Sequence, residues 1–175
     1  MKIAVFTEDK YCPRFIRKVV NRLISEGYII GNIEFARSHT SALIRKCNNV
    51  SVSRKVKAVI RDVDRIIIVI DKENTYDYDE NREIWRHLKD LKEEDIQKVH
   101  VIATEPEIEE WICVSLGIDF DRTGYDTNRK PNKILERKED YKKSKLDKYA
   151  EKLDFEKLLN SSESFKKFHG SLTFH

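Results

Sequence analysis

The chain contains little cysteine: Cys12, Cys47 and Cys113 are the only three among 175 residues, and none forms a CxxC pair. A small, odd and scattered set argues against a disulfide framework and against a structural zinc site. The first residues, MKIAVFTED, indicate a β-strand and not a signal peptide. We therefore expect a protein of the reducing cytoplasm.

Long hydrophobic runs and glycine-rich motifs are also missing. No stretch approaches the roughly 20 apolar residues that a membrane helix needs, which excludes a membrane span. The five glycines form neither GxGxxG nor GxxxxGK[ST], and there is no GxSxG. These absences disfavour nucleotide binding by a glycine-rich loop and the nucleophile elbow of an α/β-hydrolase.

Charge of both signs is abundant. Charged residues make up 37% of the chain and hydrophobic residues 39%, but the net charge is only +3. A chain of this length and composition forms one domain with a real core. Because the protein is not a polycation, any affinity for nucleic acid must come from local patches.

The run Ile66–Ile70 is unbroken and β-branched, without apolar/polar alternation, which predicts a central strand buried on both faces. Shorter strands are predicted at Lys2–Thr7, Tyr28–Ala36 and Lys98–Thr104, with helices between them. This alternation predicts an α/β fold: a doubly wound, mostly parallel sheet of about four strands. We assign residues 1–130 to this domain and residues 131–175 to a helical C-terminal extension packed on it.

Apolar spacing places the helices. One begins at Pro13 and ends before Gly27, a second lies between Ser53 and Val63, a third spans Asn81–Lys92, and a fourth begins at Pro106 and ends before Gly117. In the extension, a set of apolar residues is expected to pack against the sheet: Leu146, Tyr149, Leu153, Phe155, Leu158, Leu159, Phe165 and Phe168.

Acidic residues follow three of the predicted strands. Glu8 follows the first strand, Asp71 and Glu73 follow the central one, and Glu105 follows the last. The carboxyl ends of parallel strands lie at one edge of a sheet, where ligands bind in open α/β folds. Glu109, four residues after Glu105, can share its face if a helix begins there.

Simpler interpretations exist for each acid. Glu105 can be a strand-to-helix cap, and Glu107 and Glu110 are interpreted as ordinary acids of a helix N-terminus. Taken together, the three acidic strand ends favour a metal site. Oxygen ligands without a His/Cys grouping select Mg²⁺ or Mn²⁺, ions that serve phosphoryl chemistry.

Basic side chains near these acids are candidates for binding phosphate. The polar segment 37–49 is either a connecting loop with a short helix or a phosphate-contacting loop, since Ser/Thr and Arg/Lys dominate such contacts. The candidate nucleic-acid-binding residues are Arg14, Arg17, Arg37, Lys46 and Lys72.

These features resemble the Toprim domain of topoisomerases, primases and OLD-family nucleases, and above all compact Toprim-like proteins of the RloB kind. The matching motifs are Glu8, the acid-x-acid pair Asp71–Glu73 and the helix start Glu109–Trp111, and the C-terminal segment 148–168 looks like the family's closing helices. The resemblance spans nearly the whole chain.

The resemblance implies Mg²⁺- or Mn²⁺-dependent phosphoryl transfer on DNA or RNA. Glu8 and Asp71 would be catalytic, and Asp71, Glu73, Glu109 and Glu105 would be the metal-site acids. Two positions depart from the family pattern: Asp9 replaces the usual glycine, and the second acid of the pair is Glu73 instead of aspartate.

A second hypothesis remains open, that of a non-catalytic module that binds nucleic acid or protein. The sequence leaves the oligomeric state open, a homodimer included.

Overall fold

The computed structural model describes residues 1–36, 43–44, 49–72 and 80–173, with the side chains of 49–51 and 80–83 left aside. Within these ranges the strands are β1 (Lys2–Thr7), β2 (Glu34–Phe35), β3 (Arg65–Asp71) and β4 (Val99–Thr104). The α-helices are α1 (Cys12–Ser25), α2 (Asn49–Val59), α3 (Glu80–His87), α4 (Glu93–Ile96), α5 (Glu110–Leu116), α6 (Pro131–Glu139), α7 (Phe155–Ser161) and α8 (Glu163–Gly170). Two 3₁₀ helices span Thr127–Arg129 and Lys143–Lys152.

The four strands form one parallel sheet in the order β2-β1-β3-β4. Ala4 lies opposite Ile66 in the β1–β3 pair, and Ile68 lies opposite Val101 in the β3–β4 pair. The predicted doubly wound parallel α/β fold is therefore confirmed. The strand order reverses between β1 and β3, and in such sheets that switch point is where ligands bind.

Helices cover both faces of the sheet. Ile67 and Val69 belong to a core shared with α1 and α5–α8, whereas Ile66, Ile68 and Ile70 belong to a second core shared with α2 and α3. All five residues of this run are at most 3% exposed. The sequence-based prediction that β3 is buried on both faces is thus correct.

The C-terminal residues 131–172 pack into the first of these cores. Seven of the eight apolar residues predicted to do so are buried there, and Leu159 is partly buried against them. Trp111 lies at the centre, fully buried, with its ring near those of Phe165 (5.0 Å between centroids) and Phe168 (5.1 Å). Aromatic contacts of this kind anchor α8 to α5.

Three predicted boundaries are wrong. Only Glu34 and Phe35 of the predicted strand Tyr28–Ala36 pair with β1, because Gly31 takes a positive φ (112°) and breaks the extended chain. The predicted helix Asn81–Lys92 ends early, since α3 stops at His87 and the four-residue α4 begins only at Glu93, beyond the predicted span. Helix α5 begins at Glu110 and not at Pro106, and the N–H of Ile108 in the preceding turn donates to the carboxylate of Asp71.

Candidate functional site

The ends of β1 and β3 meet at the switch point. The backbone N–H of Asp71, the last residue of β3, donates to Oε2 of Glu8, the first residue after β1, at 3.0 Å. The geometric expectation that residues 8 and 71 come together at one edge of the sheet is therefore met. Their chemical roles stay a prediction.

The carboxylate of Asp71 is held by two donors from β4 and the turn that follows it. Its Oδ1 accepts from Oγ1 of Thr104 at 3.0 Å and from the N–H of Ile108 at 3.1 Å. Burial raises the pKa of Asp71 to about 7, with Glu109 and Glu8 adding to the rise and Lys143 opposing it. Near neutral pH this group therefore exchanges readily between its protonated and ionised forms.

Glu109, immediately before α5, is fully buried. Its Oε1 accepts from the hydroxyl of Tyr141 at 2.6 Å and lies 2.7 Å from Nζ of Lys143. Its Oε2 is also buried and has no hydrogen-bond partner among the described residues. An orphaned acceptor of this kind marks a place for a further donor or a cation.

Lys143 and Tyr141 come from the C-terminal extension, and the sequence analysis did not include them in the site. Lys143 Nζ lies 3.4 Å from Oδ2 of Asp9 as well as close to Glu109. Burial lowers the pKa of Lys143, but the charges of Glu109, Asp71 and Asp9 outweigh burial, so the pKa is raised. Burial and the charge of Glu109 likewise raise the pKa of Tyr141, which keeps its hydroxyl a donor.

Asp9 has a structural role at the position where the resembled family has glycine. Its Oδ1 accepts from the N–H groups of Tyr11 at 2.6 Å and Cys12 at 2.8 Å, which satisfies donors at the start of α1. The same carboxylate contacts Lys143 through its other oxygen. Asp9 therefore links the start of α1 to the ammonium group of Lys143.

Glu107 and Glu110 were interpreted from the sequence as acids of one helix N-terminus, and the structure separates them. Glu107 precedes α5, and its Oε1 accepts from the N–H of Asn132 in the first turn of α6 at 2.6 Å. Burial and the nearby charge of Glu109 raise the pKa of Glu107 to about 7. The acidic cluster thus extends from the strand ends to α6.

Glu110 is the first residue of α5 but is only 1% exposed. Its Oε1 accepts from the N–H of Glu105 at 2.9 Å and from the hydroxyl of Ser164 in α8. Burial raises the pKa of Glu110 to about 7. This carboxyl group connects the sheet edge to the C-terminal helices instead of acting as an exposed cap.

The remaining predicted site residues lie at the rim or outside the description. Glu105 pairs with Lys72 at 3.1 Å, and both side chains are partly exposed. Arg14 is exposed on α1 and pairs with Asp147 at 2.9 Å. Glu73, Arg37 and Lys46 lie outside the described residues.

The fit of a divalent ion can be judged from the carboxylates in place. Asp71 and the unpartnered oxygen of Glu109 are the hard oxygen donors that Mg²⁺ prefers. In the part of the chain that the structure describes, no three His, Cys, Asp or Glu side chains are grouped so that they could hold a metal ion together. The chemical type of these oxygen donors thus fits Mg²⁺. Glu73, another of the predicted metal-site acids, lies outside the described residues.

The fold is that of a doubly wound parallel α/β protein, and acidic residues cluster at its switch point. Comparisons with protein-family models, with curated proteins and with solved structures find no match for this chain. None of the described helices combines the length and the apolar character needed to cross a bilayer.

Proposed function

We propose that the chain is a compact Toprim-like protein that catalyses Mg²⁺- or Mn²⁺-dependent phosphoryl transfer on nucleic acid, as a nuclease does. One observation carries the proposal. Glu8, Asp71 and Glu109 come from the ends of β1 and β3 and from the residue before α5, and they lie close enough at the switch point for Glu109 and Glu8 to raise the pKa of Asp71. Converging carboxylates at this position favour a cation and the phosphates that a cation attracts.

In this proposal Asp71 and Glu109 hold the ion together with Glu73. The ion, when bound, supplies positive charge that stabilises the phosphoryl group in the transition state. Glu8 acts as the general acid/base, since its carboxylate is oriented by the N–H of Asp71. Tyr141 fixes the orientation of Glu109 through its hydroxyl.

Lys143 has a supporting role in the same proposal. Its ammonium group lies beside Glu109 and its pKa is raised, so it stays charged near neutral pH. A permanent cation beside the acids keeps their mutual repulsion low in the absence of metal. It also offers a phosphate a second positive contact.

Cleavage of labelled DNA and RNA, in Mg²⁺, in Mn²⁺ and in EDTA, tests the proposal. Asp71→Asn should lower metal-dependent cleavage by at least about 100-fold, the scale of a lost acid or metal ligand. Asp62→Asn, an exposed aspartate before β3, is the matched control and should cleave like the wild type. Equal activity of the Asp71→Asn and wild-type proteins would exclude this site.

A second candidate is a non-catalytic module that binds nucleic acid or protein. The ion pair between Lys143 and Glu109 favours this candidate, because the ammonium group already supplies the positive charge that a metal ion would bring. Thermal unfolding with increasing Mg²⁺ separates the two candidates. A metal that binds only the folded state at 100 times its Kd stabilises by about 2.7 kcal/mol. An unchanged melting temperature, no cleavage and continued metal-free binding would favour the second candidate.

A further inference from the structure

The second 3₁₀ helix, Lys143–Lys152, is ten residues long, whereas such helices rarely exceed four. With three residues per turn, side chains three apart lie above one another. Two of the resulting columns face inward, since Leu146 and Tyr149 in one and Asp147 and Ala150 in the other are buried. The third column faces outward.

The outward column carries lysines at a regular spacing. Lys145, Lys148 and Glu151 occupy it, and Lys142, the residue before the helix, continues the interval of three. At a rise of about 2.0 Å per residue, the Cα atoms of neighbouring lysines in the column are about 6 Å apart. We call Lys142, Lys145 and Lys148 the lysine row.

Glu151, exposed at the end of the column, lowers the net charge of this surface by one, but among the described residues no ion pair joins it to a lysine of the row. Lys142 and Lys148 are exposed and have no carboxylate partner among the described residues, and Lys145 is only 3.7 Å from the largely exposed Asp140. An ion pair as exposed as Lys145–Asp140 contributes little. The row therefore presents positive charge to solvent.

Helix α1, which packs along the 3₁₀ helix, adds to this charge. Arg14 and Lys18 share the single carboxylate of Asp147, at 2.9 Å and 3.2 Å. Arg14, Lys18 and Asp147 together therefore carry one net positive charge where α1 packs on this 3₁₀ helix.

The row also begins next in sequence to a residue of the acidic site at the switch point. Lys142 is adjacent in sequence to Lys143, whose ammonium group contacts Glu109 and Asp9. The Lys142 end of the row is therefore the end nearest this site along the chain.

We propose that the lysine row binds the phosphate backbone of a nucleic-acid strand and leads that strand to the acidic site at the switch point. The choice of nucleic acid as the partner rests on the proposed function, whereas the cationic surface itself does not. Binding of this kind is electrostatic and independent of base sequence, and it weakens steeply with salt. It needs no metal ion.

Fluorescence anisotropy with labelled single-stranded DNA and RNA, measured in EDTA, tests this inference without cleavage. The triple variant Lys142→Ala/Lys145→Ala/Lys148→Ala should bind at least about tenfold more weakly at low salt, and the slope of log K against log salt should fall by about 2. The control variant Arg54→Ala/Lys57→Ala/Arg61→Ala removes the same charge from exposed positions at α2, on the other face of the sheet. The affinity of this control variant for the labelled strand should fall by about twofold or less, as expected for long-range charge alone.

Equal losses in the two triple variants, or no binding by the wild type, would overturn the inference. Displacement of the strand by poly-glutamate of equal charge, as efficiently as by unlabelled DNA, would overturn the assignment to nucleic acid. Row-dependent binding in EDTA without any metal-dependent cleavage would support the row and reject the nuclease. Cleavage that depends on Asp71 but not on the row would reject the row alone. Circular dichroism and urea unfolding confirm that each variant is folded.

Discussion

The ammonium group of Lys143 lies 2.7 Å from Oε1 of Glu109, a carboxylate with no solvent exposure. This ion pair joins the C-terminal extension to the carboxyl edge of the sheet. Because the desolvated carboxylate depends on this cation, both the stability of the fold and the charge of the pocket depend on the pair.

Lys143→Met leaves Glu109 without its cation in a buried position. We expect the free energy of unfolding to fall by about 3–5 kcal/mol, the range for breaking a buried ion pair. The double variant Lys143→Met/Glu109→Gln should recover much of this loss, since no buried charge remains. Urea unfolding measures both effects, with Lys148→Met as the exposed control. A Lys143→Met protein as stable as that control would contradict the interpretation.

Glu110 makes stability depend on pH. A carboxyl group whose pKa rises from 4.5 to about 7 on folding binds more protons in the folded state, so the free energy of unfolding falls as pH increases through this window. Glu110→Gln should remove the contribution of this residue while those of Asp71 and Glu107 remain. Compared with the wild type, the free energy of unfolding of the variant at pH 8 should rise relative to that at pH 5 by up to about 3 kcal/mol. Unfolding at several pH values checks it against the exposed control Glu156→Gln. An unchanged pH profile would show that Glu110 titrates normally.

Asp9 supports the start of α1 through its Oδ1 and Lys143 through its charge. Asp9→Ala removes both interactions and should cost about 1–2 kcal/mol, as expected for a lost helix cap. Asp9→Asn keeps an oxygen acceptor for the N–H groups and should cost less. Thermal unfolding compares the two variants. If Asp9→Asn were as destabilised as Asp9→Ala, the charge toward Lys143 would outweigh the cap.

Thr104 is fully buried, and its hydroxyl hydrogen bond helps to keep the pKa of Asp71 from rising further. Thr104→Val removes this donor at similar volume and should raise the pKa of Asp71 above about 7. Thr104→Ser retains the hydroxyl and should leave the pKa near its wild-type value. Carbon NMR of the Asp71 carboxyl group during a pH titration measures the shift directly. Identical titration curves for the two variants would exclude this control of the pKa by Thr104.

The sheet could be predicted well where periodicity is strong. The predicted β1 coincides with the observed strand Lys2–Thr7, and the run Ile66–Ile70 lies wholly within β3. A buried strand constrains every residue to be apolar, so its pattern is visible in sequence. β2 is an edge strand held by Glu34 and Phe35 alone, and a two-residue pairing leaves no periodic pattern to detect.

The acidic half of the site could be predicted from topology, but the basic half could not. Parallel strands bring Glu8 and Asp71 together whatever the loops do. Lys143, by contrast, reaches Glu109 through the packing of the extension, which local patterns do not encode. One signal was available: at intervals of three, Lys143 falls in the same column as the buried Leu146 and Tyr149.

The strand Ile66–Ile70 has a consequence for biosynthesis. It is an uncharged, β-branched segment without proline, which is the signature of amyloid-forming sequences. Its neighbour β1 is translated earlier, but β4 emerges from the ribosome only later, so one edge of β3 waits unpaired on the nascent chain. Arg65 and Asp71, the charged residues on either side of the segment, are of the kind that oppose self-association of such strands, and we expect them to do so during this interval.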